Sequence, residues 1–520
     1  MLLLAVIPVI SAFISVYQAQ FAYDGFHWGL LIFNAKKFLN GEILYKEIFV
    51  HYGFLTTILN SIILKISNDN ILSVFSFYSL SYSTGLFMIG LISYKINNNF
   101  LISLLTIFIF FLLHPFTVYP WHSYIIFLLL TIYIYFKFFK NIKYENLILL
   151  ICACLNESFI YPAICIIIFD ILYEPIFQRK KIHLNKLKYN LIIILIFFLS
   201  ITIFLLTNDK YLYWSIHLEL PKIFLNEIHQ SNIFKMVLHM FYTIFYYGIE
   251  RFFFESQWFF FSIVILISCF ILLNNLFYKK KFDSILVYIS FISLILLSTS
   301  IHNISIFKIS TGLSLGLIVL ISLTQKVKDF YTRNIALCLI LFIGLISFEF
   351  KKNNSNHLFV KEYQSKEFIK STNFNYFKSQ RWSTDTWEHF NLLFTKSKDI
   401  KMKCDISLSY NFTKDAFYSL ILNEFFQVDQ IVPWFQYKAN HFMNSYYYSI
   451  NNHFDPSLFS RTIQSVDLNN SIFVAYKENY EKIYWGKKYY NFSRKMNFIE
   501  LPNHDYIKDI IIIYPKNCLI

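Results

Sequence analysis

The sequence lacks the short motifs that mark nucleotide-binding and hydrolytic enzymes. Its 520 residues contain no Walker loop, dinucleotide fingerprint, nucleophile elbow or H-E-x-x-H motif. The seven cysteines include no C-x-x-C pair, and the histidines His217, His229 and His239 do not have the spacing of metal ligands. Nucleotide chemistry inside the cell and a zinc site built from these histidines are therefore unsupported.

Charged residues are scarce, and the long apolar stretches are almost free of them. Only 15% of the residues are charged, whereas 56% are hydrophobic, and the mean hydropathy is +0.47. Several runs approach the roughly 20 residues that a helix needs to cross a bilayer, and they do not alternate as barrel strands do. These runs are residues 191–206, 258–277, 285–297, 304–323 and 334–350. The chain is therefore predicted to be an all-α polytopic membrane bundle of roughly 10–13 helices.

Positive residues collect in short loops between the apolar runs, and the net charge is +14. Basic loops mark the cytoplasmic side of a membrane protein. This rule places residues 179–188, 279–281 and 326–333 in the cytoplasm, and it delivers residues 351–520 to the outer face. The basic charge is thus explained without binding to nucleic acid.

The chain divides into two predicted domains. Residues 1–350 form the membrane domain, which begins with a retained first span rather than a cleaved signal peptide. Residues 351–520 form a smaller extracytoplasmic region of mixed α/β structure, in which the apolar run 507–514 is typical of a buried strand. Cys404 and Cys518 are the two cysteines of this region, so at most one disulfide can form there.

One part of the predicted topology has two solutions. The basic residues after position 136 favour the cytoplasm, which places residues 114–122 outside. Either the run 52–66 then does not cross the membrane, or the run 147–172 forms a re-entrant pair. Such a pair would turn at residues 156–158, where Asn, Glu and Ser interrupt the apolar run.

The first outer loop, residues 21–51, carries a series of polar and aromatic residues. Asp24 follows the first apolar run in the stretch Tyr23-Asp24-Gly25-Phe26-His27-Trp28. The segments Gly41-Glu-Ile-Leu-Tyr45-Lys-Glu47 and His51-Tyr-Gly53-Phe-Leu55 come next. This series resembles the first outer loop of the C-superfamily membrane glycosyltransferases, similar to the protein O-mannosyltransferases and aminoarabinose transferases. Asp24-Gly25 replaces the acidic pair often found there, and the usual proline of the last segment is missing.

The resemblance implies a bundle of the glycosyltransferase C-superfamily type with its active site at the outer membrane surface. It implies that the donor is a polyprenyl-phosphate-linked sugar and that Asp24 is the general base for the acceptor hydroxyl. The acceptor would be a glycan, lipid or protein of the cell envelope, and the bilayer would be the bacterial inner membrane. The resemblance leaves a divalent metal open. The residues alone also allow Asp24 to be the N-cap of the helix that follows.

The leaving phosphate of such a donor needs positive charge or hydrogen-bond donors. Polar residues of the outer loops and span ends are candidates to contact this phosphate or the acceptor. They are His27, Lys36, His51, His122, Glu157, His302 and Lys308. Each also has a simpler interpretation, because lysines can anchor in lipid headgroups, histidines can be ordinary interfacial residues, and a carboxylate can end a helix.

Two other functions share the basic charge and the many spans. A transporter or flippase of a lipid-linked glycan precursor should carry charged residues in mid-membrane on several helices, and inverted halves. A non-catalytic envelope assembly protein would act through its C-terminal region. No internal repeat is visible, and charge concentrates near the outer ends of the apolar runs. Both observations favour the glycosyltransferase.

Overall fold

The computed structural model covers the chain with gaps. The residues that it describes are 2–25, 27–45, 48, 50, 52–114, 121–140, 145–178, 184–207, 232–278, 282–300, 304, 306–353, 367–371, 373–413, 415–430, 468–477, 480, 483–485, 488–490, 495–504 and 506–518. These residues are mainly helical, with a mixed sheet near the C-terminus. The predicted helical membrane bundle with a smaller α/β region is therefore confirmed.

Helices dominate the described chain up to residue 353. In order they are α1 (Val6–Ala19), α2 (Trp28–Leu39), α3 (Phe54–Ile66), α4 (Ile71–Asn97), α5 (Phe100–Leu113), α6 (Ser123–Tyr135), α7 (Asn146–Leu155), α8 (Ile160–Gln178), α9 (Leu184–Thr207), α10 (Ile233–Glu250), α11 (Gln257–Phe277), α12 (Ser284–Ile295), α13 (Ile306–Leu313), α14 (Gly316–Gln325) and α15 (Phe330–Asn353). Short 3-10 turns occupy Leu2–Ala5, Glu157–Phe159 and Leu296–Ser300, and a π-helical turn occupies Phe136–Lys140.

Among the described residues, six helical segments are long and apolar enough to cross a bilayer. They are Leu2–Ala19, Ile71–Asn97, His122–Lys140, Glu157–Phe177, Gln257–Phe277 and Phe330–Glu349. Shorter apolar helices include Phe54–Ile66, Phe100–Leu113, Asn146–Leu155, Leu187–Thr202, Ser284–Ser300 and Gly316–Gln325. Large apolar side chains such as Leu101 and Phe270 are exposed on these helices, as lipid contact requires. The chain is a multi-pass membrane protein.

The predicted interruption of the run 147–172 is observed. Helix α7 ends at Leu155, and Asn156 has extended backbone. The Oδ1 atom of Asn156 accepts the N–H of Ser158 at 3.0 Å, and the 3-10 turn Glu157–Phe159 leads into α8. Asparagine side chains compete for backbone groups in this way, which ends a helix locally. A re-entrant path at this break stays a prediction.

In its described residues, the C-terminal region combines two helices with short strands. The helices are α16 (Thr384–Lys403) and α17 (Phe417–Leu422). The strands are β1 (Phe368–Lys370), β2 (Arg381–Ser383), β3 (Leu408–Asn411), β4 (Gln427–Gln430), β5 (Ser471–Tyr476), β6 (Ile483–Trp485), β7 (Lys488–Tyr490), β8 (Met496–Glu500) and β9 (Ile510–Pro515). The apolar run predicted as a buried strand is β9, which is buried along its whole length.

Five of these strands form one mixed sheet in the order β4-β3-β5-β9-β8. Strand β3 pairs in parallel with β4 and β5, whereas β9 pairs antiparallel with β5 and β8. Helix α17 makes the crossover between the parallel strands β3 and β4. One face of the sheet buries a cluster of apolar side chains: Tyr410, Phe412, Phe473, Ala475, Met496, Ile511 and Ile513.

Cys404 and Cys518 form the disulfide that the sequence allows. Their Cα atoms lie 5.7 Å apart, within the usual range for this bond. The bond ties the residue after α16 to the segment after β9. Structural disulfides persist mainly in oxidising compartments.

The chain separates into two compact units. Unit 1 comprises residues 1–18, 75–204 and 217–364, and unit 2 comprises residues 19–74, 205–216 and 365–520. Unit 2 thus combines the segment after the first span, including α2 and α3, with the C-terminal sheet. The predicted domain boundary at residue 350 stays a prediction.

Candidate functional site

Asp24 and His27 form a hydrogen-bonded pair immediately before α2. The Oδ2 atom of Asp24 lies 2.9 Å from Nδ1 of His27, and the backbone N–H of His27 donates to Oδ1 of Asp24, also at 2.9 Å. The second of these bonds closes the turn before α2. The N-cap residue of α2 is His27, with no side-chain capping bond, so Asp24 is not the N-cap that the residues alone allowed. An ionised carboxylate has about four lone-pair sites, so these two bonds leave Asp24 with capacity to accept a proton.

The pair is accessible to other molecules. Asp24 keeps 25% of its side-chain exposure and His27 keeps 39%. A carboxylate on Nδ1 holds the ring proton there in the neutral tautomer, so Nε2 is the ring atom that can face a substrate. A protonated ring would donate from both nitrogens. The arrangement can therefore take up a proton or present a donor to an anion.

A second carboxylate of unit 2, Asp415, contacts the residue before Asp24. Asp415 is 1% exposed and lies in the loop between β3 and α17. Its Oδ2 atom accepts the hydroxyl of Tyr23, and its Oδ1 atom accepts the backbone N–H of Phe417 at 2.7 Å. The sequence gives no signal for this contact, because Tyr23 and Asp415 are 392 positions apart.

Aromatic and imidazole rings surround Tyr23. Its ring stacks on Tyr506, with centroids 4.2 Å apart and planes at 6°, and it meets His504 edge-on at 5.7 Å. Burial raises the pKa of Tyr23 well above its usual value, and the nearby charge of Asp415 adds to the shift. The Tyr23 hydroxyl is therefore protonated near neutral pH and donates its hydrogen bond.

His389 belongs to the same group of rings, 4.4 Å from His504. Its Nδ1 atom lies 2.5 Å from the carbonyl oxygen of Pro502, and its Nε2 atom lies 2.7 Å from the hydroxyl of Tyr418. A carbonyl can only accept, so Nδ1 carries the proton and Nε2 accepts from Tyr418. Burial lowers the pKa of His389 to about 4, although the Pro502 contact acts in the opposite direction. The ring is neutral at pH 7.

Lys36 is ion-paired. Its Nζ atom lies 2.9 Å from Oδ2 of Asp69 and 5.5 Å from the centroid of the Tyr376 ring. Burial acts to lower the pKa of Lys36, but the hydrogen bond with Asp69 and the neighbouring Tyr376 outweigh it, so the pKa is raised. The adjacent Lys37 pairs with Glu42 at 2.8 Å. These pairs give both lysines a structural role, and a contact of Lys36 with the donor phosphate stays a prediction.

Three other predicted site residues belong to unit 1. His122 is 3% exposed, and its Nε2 atom lies 2.7 Å from Nδ2 of Asn156. An amide nitrogen only donates, so Nε2 of His122 is an acceptor. Lys308 interacts electrostatically with His122, and its helix α13 packs against α6. Glu157, which is 7% exposed, follows Asn156 directly. His122 and Lys308 are thus close enough to interact electrostatically, and Glu157 follows the asparagine that His122 contacts.

Two predicted site residues, His51 and His302, and the predicted metal have no observed position. His51 and His302 lie outside the described residues, so the predicted convergence of His122 and His302 near Asp24 stays a prediction. Within the part of the chain that the structure describes, no group of three or more His, Cys, Asp or Glu side chains could hold a metal ion. The divalent metal left open by the resemblance stays a prediction too.

Unit 1 also contains a buried charged cluster that the sequence interpretation does not identify. Asp170 is 1% exposed, forms an ion pair with Lys137 and accepts the hydroxyl of Tyr288 at 2.5 Å. Lys137 also lies 3.4 Å from Glu145. An ionisable residue inside the apolar run 147–172 is the signal that could have found this cluster. The partners could not be predicted, because they come from other helical segments.

No protein-family model matches this chain, and no curated protein matches it in sequence. Within the described part of the chain, the structure shows a multi-pass membrane protein with six candidate spans. These comparisons assign the chain to no family.

Proposed function

We propose that this protein is a membrane glycosyltransferase. It would transfer a sugar from a polyprenyl-phosphate-linked donor to a glycan, lipid or protein acceptor of the cell envelope. The observation that carries the proposal is the Asp24–His27 pair. It joins a partly exposed carboxylate and an imidazole shortly after the first candidate span. A lipid-linked donor would present its phosphosugar at this depth, near the membrane surface.

In the proposed reaction Asp24 is the general base. The acceptor hydroxyl oxygen attacks the anomeric carbon on the face opposite the phosphate, which inverts the configuration. The bond from this carbon to the phosphate oxygen breaks, and the polyprenyl phosphate leaves with the electron pair. Asp24 takes the proton of the attacking hydroxyl. A carboxylate is a sufficient base, because the phosphate is already a good leaving group.

The residues proposed to stabilise the leaving phosphate are those that carry positive charge or hydrogen-bond donors. His27 is held on Asp24 through Nδ1, so a protonated ring would donate from Nε2 to a phosphate oxygen. In unit 1, Lys308 is the charged candidate and His122 its neighbour. The donor contacts proposed for all three are expectations that donor-binding measurements on single variants would check.

The proposed location is the bacterial inner membrane, with the C-terminal region outside the cytoplasm. The disulfide between Cys404 and Cys518 supports this orientation, because disulfides form and persist in oxidising compartments. The basic loops of the sequence support the same orientation.

Asp24→Asn tests the proposal directly. Asparagine keeps the size and a side-chain oxygen but removes the basicity, so the variant should insert and accumulate normally. Loss of a general base should slow transfer from a polyprenyl-phosphate sugar by about 10²–10⁴-fold. The matched control is Glu424→Gln, which removes a carboxylate of the same unit that accepts the backbone N–H of Asn375 and should keep wild-type transfer. Near-normal transfer by Asp24→Asn would leave Asp24 with a structural role only and reject the proposal.

The transport of a lipid-linked glycan precursor is a second candidate, favoured by the buried cluster of Asp170, Lys137 and Tyr288. Buried charge shared between helices is expected along a transport path. Movement of a labelled lipid-linked precursor across reconstituted vesicles would distinguish the two functions. A transporter should lose this movement in Asp170→Asn and keep it in Asp24→Asn, whereas a glycosyltransferase should catalyse no such movement.

A further inference from the structure

The loop between β3 and α17 is fixed by its own side chains. The Nδ2 atom of Asn411 donates to the carbonyl oxygen of Asp415 at 2.7 Å and to the hydroxyl of Ser419 at 3.0 Å. The Oδ1 atom of Asn411 accepts the N–H and the hydroxyl of Thr413, both at 2.8 Å. Asn411 is fully buried. The position of Asp415 is therefore set within the C-terminal sheet region.

This fixed loop is attached to the chain on both sides of Asp24. On one side, the hydroxyl of Tyr23 donates to Oδ2 of Asp415. On the other side, the carbonyl of Gly25 accepts the N–H of Ala416 at 2.9 Å. A Cβ atom on Gly25 would overlap the carboxylate of Asp415, so a side chain at this position would have to displace that carboxylate. Asp24 is the one residue between the two attachments.

The two carboxylate oxygens of Asp415 have different partners. Oδ1 accepts the N–H of Phe417, the first residue of α17, and Oδ2 accepts the hydroxyl of Tyr23. The Phe417 ring also meets the Trp28 ring of α2 edge-on, at a centroid distance of 5.0 Å. Both the loop and the start of α17 therefore contact the segment that carries Asp24.

We propose that Asp415 is a positioning residue for Asp24. Asp415 holds Tyr23 through its carboxylate, and the next residue, Ala416, holds Gly25 through its backbone N–H. Together these bonds would fix the backbone of Asp24, and with it the orientation of the carboxylate and of His27. This inference rests on the proposed glycosyl transfer, and it gives the C-terminal region a part in that reaction. Asp415 itself touches neither donor nor acceptor in this scheme.

Kinetics of full-length Asp415→Asn and Tyr23→Phe provide the first test. Tyr23→Phe keeps the stacked ring and removes only the hydroxyl. It therefore tests the same contact even if Asp415→Asn fails to fold. We expect kcat to fall about 10–100-fold in both, because misplacing a catalytic group by about 1 Å costs up to 10²-fold. The donor KM should stay within about twofold, since no substrate contact is removed. An unchanged kcat, or a raised KM alone, would overturn the proposal.

The matched control is Glu424→Gln. Glu424 is a carboxylate of the same region, beyond the end of α17 opposite to Asp415, and its Oε1 atom accepts the backbone N–H of Asn375 at 3.0 Å. This variant should keep the wild-type kcat. An equal loss of kcat in Glu424→Gln would assign the effect to general loosening of the region and overturn the positioning role.

Hydrogen exchange provides a readout that does not depend on activity. The backbone N–H of His27 is bonded to Asp24, so its exchange reports whether this turn is held. Exchange in the peptide covering residues 21–33 should accelerate about tenfold in both variants and stay unchanged in Glu424→Gln. Unchanged exchange in the two variants would overturn the proposal. If exchange accelerates but the wild type transfers no sugar, the proposed function fails while the attachment of Asp24 to Asp415 stands.

Discussion

His389 is the residue whose protonation should make the C-terminal region sensitive to acid. Burial lowers its pKa to about 4, whereas an unfolded histidine titrates near 6.5. Between these values the unfolded chain binds more protons, so stability is complete above about pH 6.5 and falls as the pH drops towards 4. The full loss is at most about 3.5 kcal/mol, since one pKa unit corresponds to about 1.4 kcal/mol.

Thermal unfolding of the purified protein between about pH 4.5 and 7.5 checks this prediction. The melting temperature should fall with acidification in the wild type. His389→Gln cannot titrate, so its melting temperature should depend less on pH, even if the variant is less stable at pH 7. Identical pH dependence in the two proteins would show that the protonation of His389 does not limit stability.

At the same scale, the sequence could predict local contacts but not distant ones. The contact between Asp24 and His27 joins positions three apart, and hydrogen-bonding preferences act over that range. Asp415 and Asp69, which contact Tyr23 and Lys36, come from distant segments, so no spacing in the sequence indicates them. Sequence reasoning therefore chose Asp24 on the basis of resemblance, and it gave no indication of the ion pair that Lys36 makes.

At the scale of elements, hydrophobic patterns predicted the existence and type of several segments. The break at Asn156 and the strand β9 both follow from composition, because polar residues end apolar helices and a short apolar run bounded by turn residues favours a buried strand. The order of the strands in the sheet could not be predicted from these patterns. Strand β3 pairs in parallel with both β4 and β5, and the choice of these partners depends on packing across long connections.

The disulfide is the covalent link between elements of the C-terminal region, and its removal should destabilise that region. Cys404 and Cys518 are separated by 114 positions, so the bond restricts a long loop in the unfolded chain. Replacing both by serine should lower the free energy of unfolding by about 2–5 kcal/mol. Denaturant or thermal unfolding in detergent would measure the change.

The matched control for the disulfide is Cys338→Ser, which removes an exposed free cysteine in α15. This variant should unfold like the wild type. Dithiothreitol should lower the stability of the wild type and have little effect on the double variant. If reductant affects both proteins equally, the disulfide does not provide the stability assigned to it.

At the scale of the whole molecule, the proposal requires one orientation in the membrane. The basic loops predict that residues 179–188 and 279–281 lie in the cytoplasm, and α15 would then carry the chain to the outer face. The disulfide of the C-terminal region is consistent with that side. Asp24 can meet a lipid-linked donor outside the cytoplasm only if unit 2, which contains both Asp24 and the C-terminal sheet, lies there.

A pair of reporter fusions tests this orientation. A reporter enzyme that is active only outside the cytoplasm, fused after Phe350, should be active because Phe350 lies near the outward end of α15. The same reporter fused after Lys281 should be inactive, since the basic loop 279–281 is retained in the cytoplasm. A second reporter that works only in the cytoplasm should give the opposite pattern. If the fusion after Phe350 works only with the cytoplasmic reporter, the C-terminal region faces the cytoplasm, where thiols are kept reduced. That outcome would reject the outer-face chemistry assigned to Asp24.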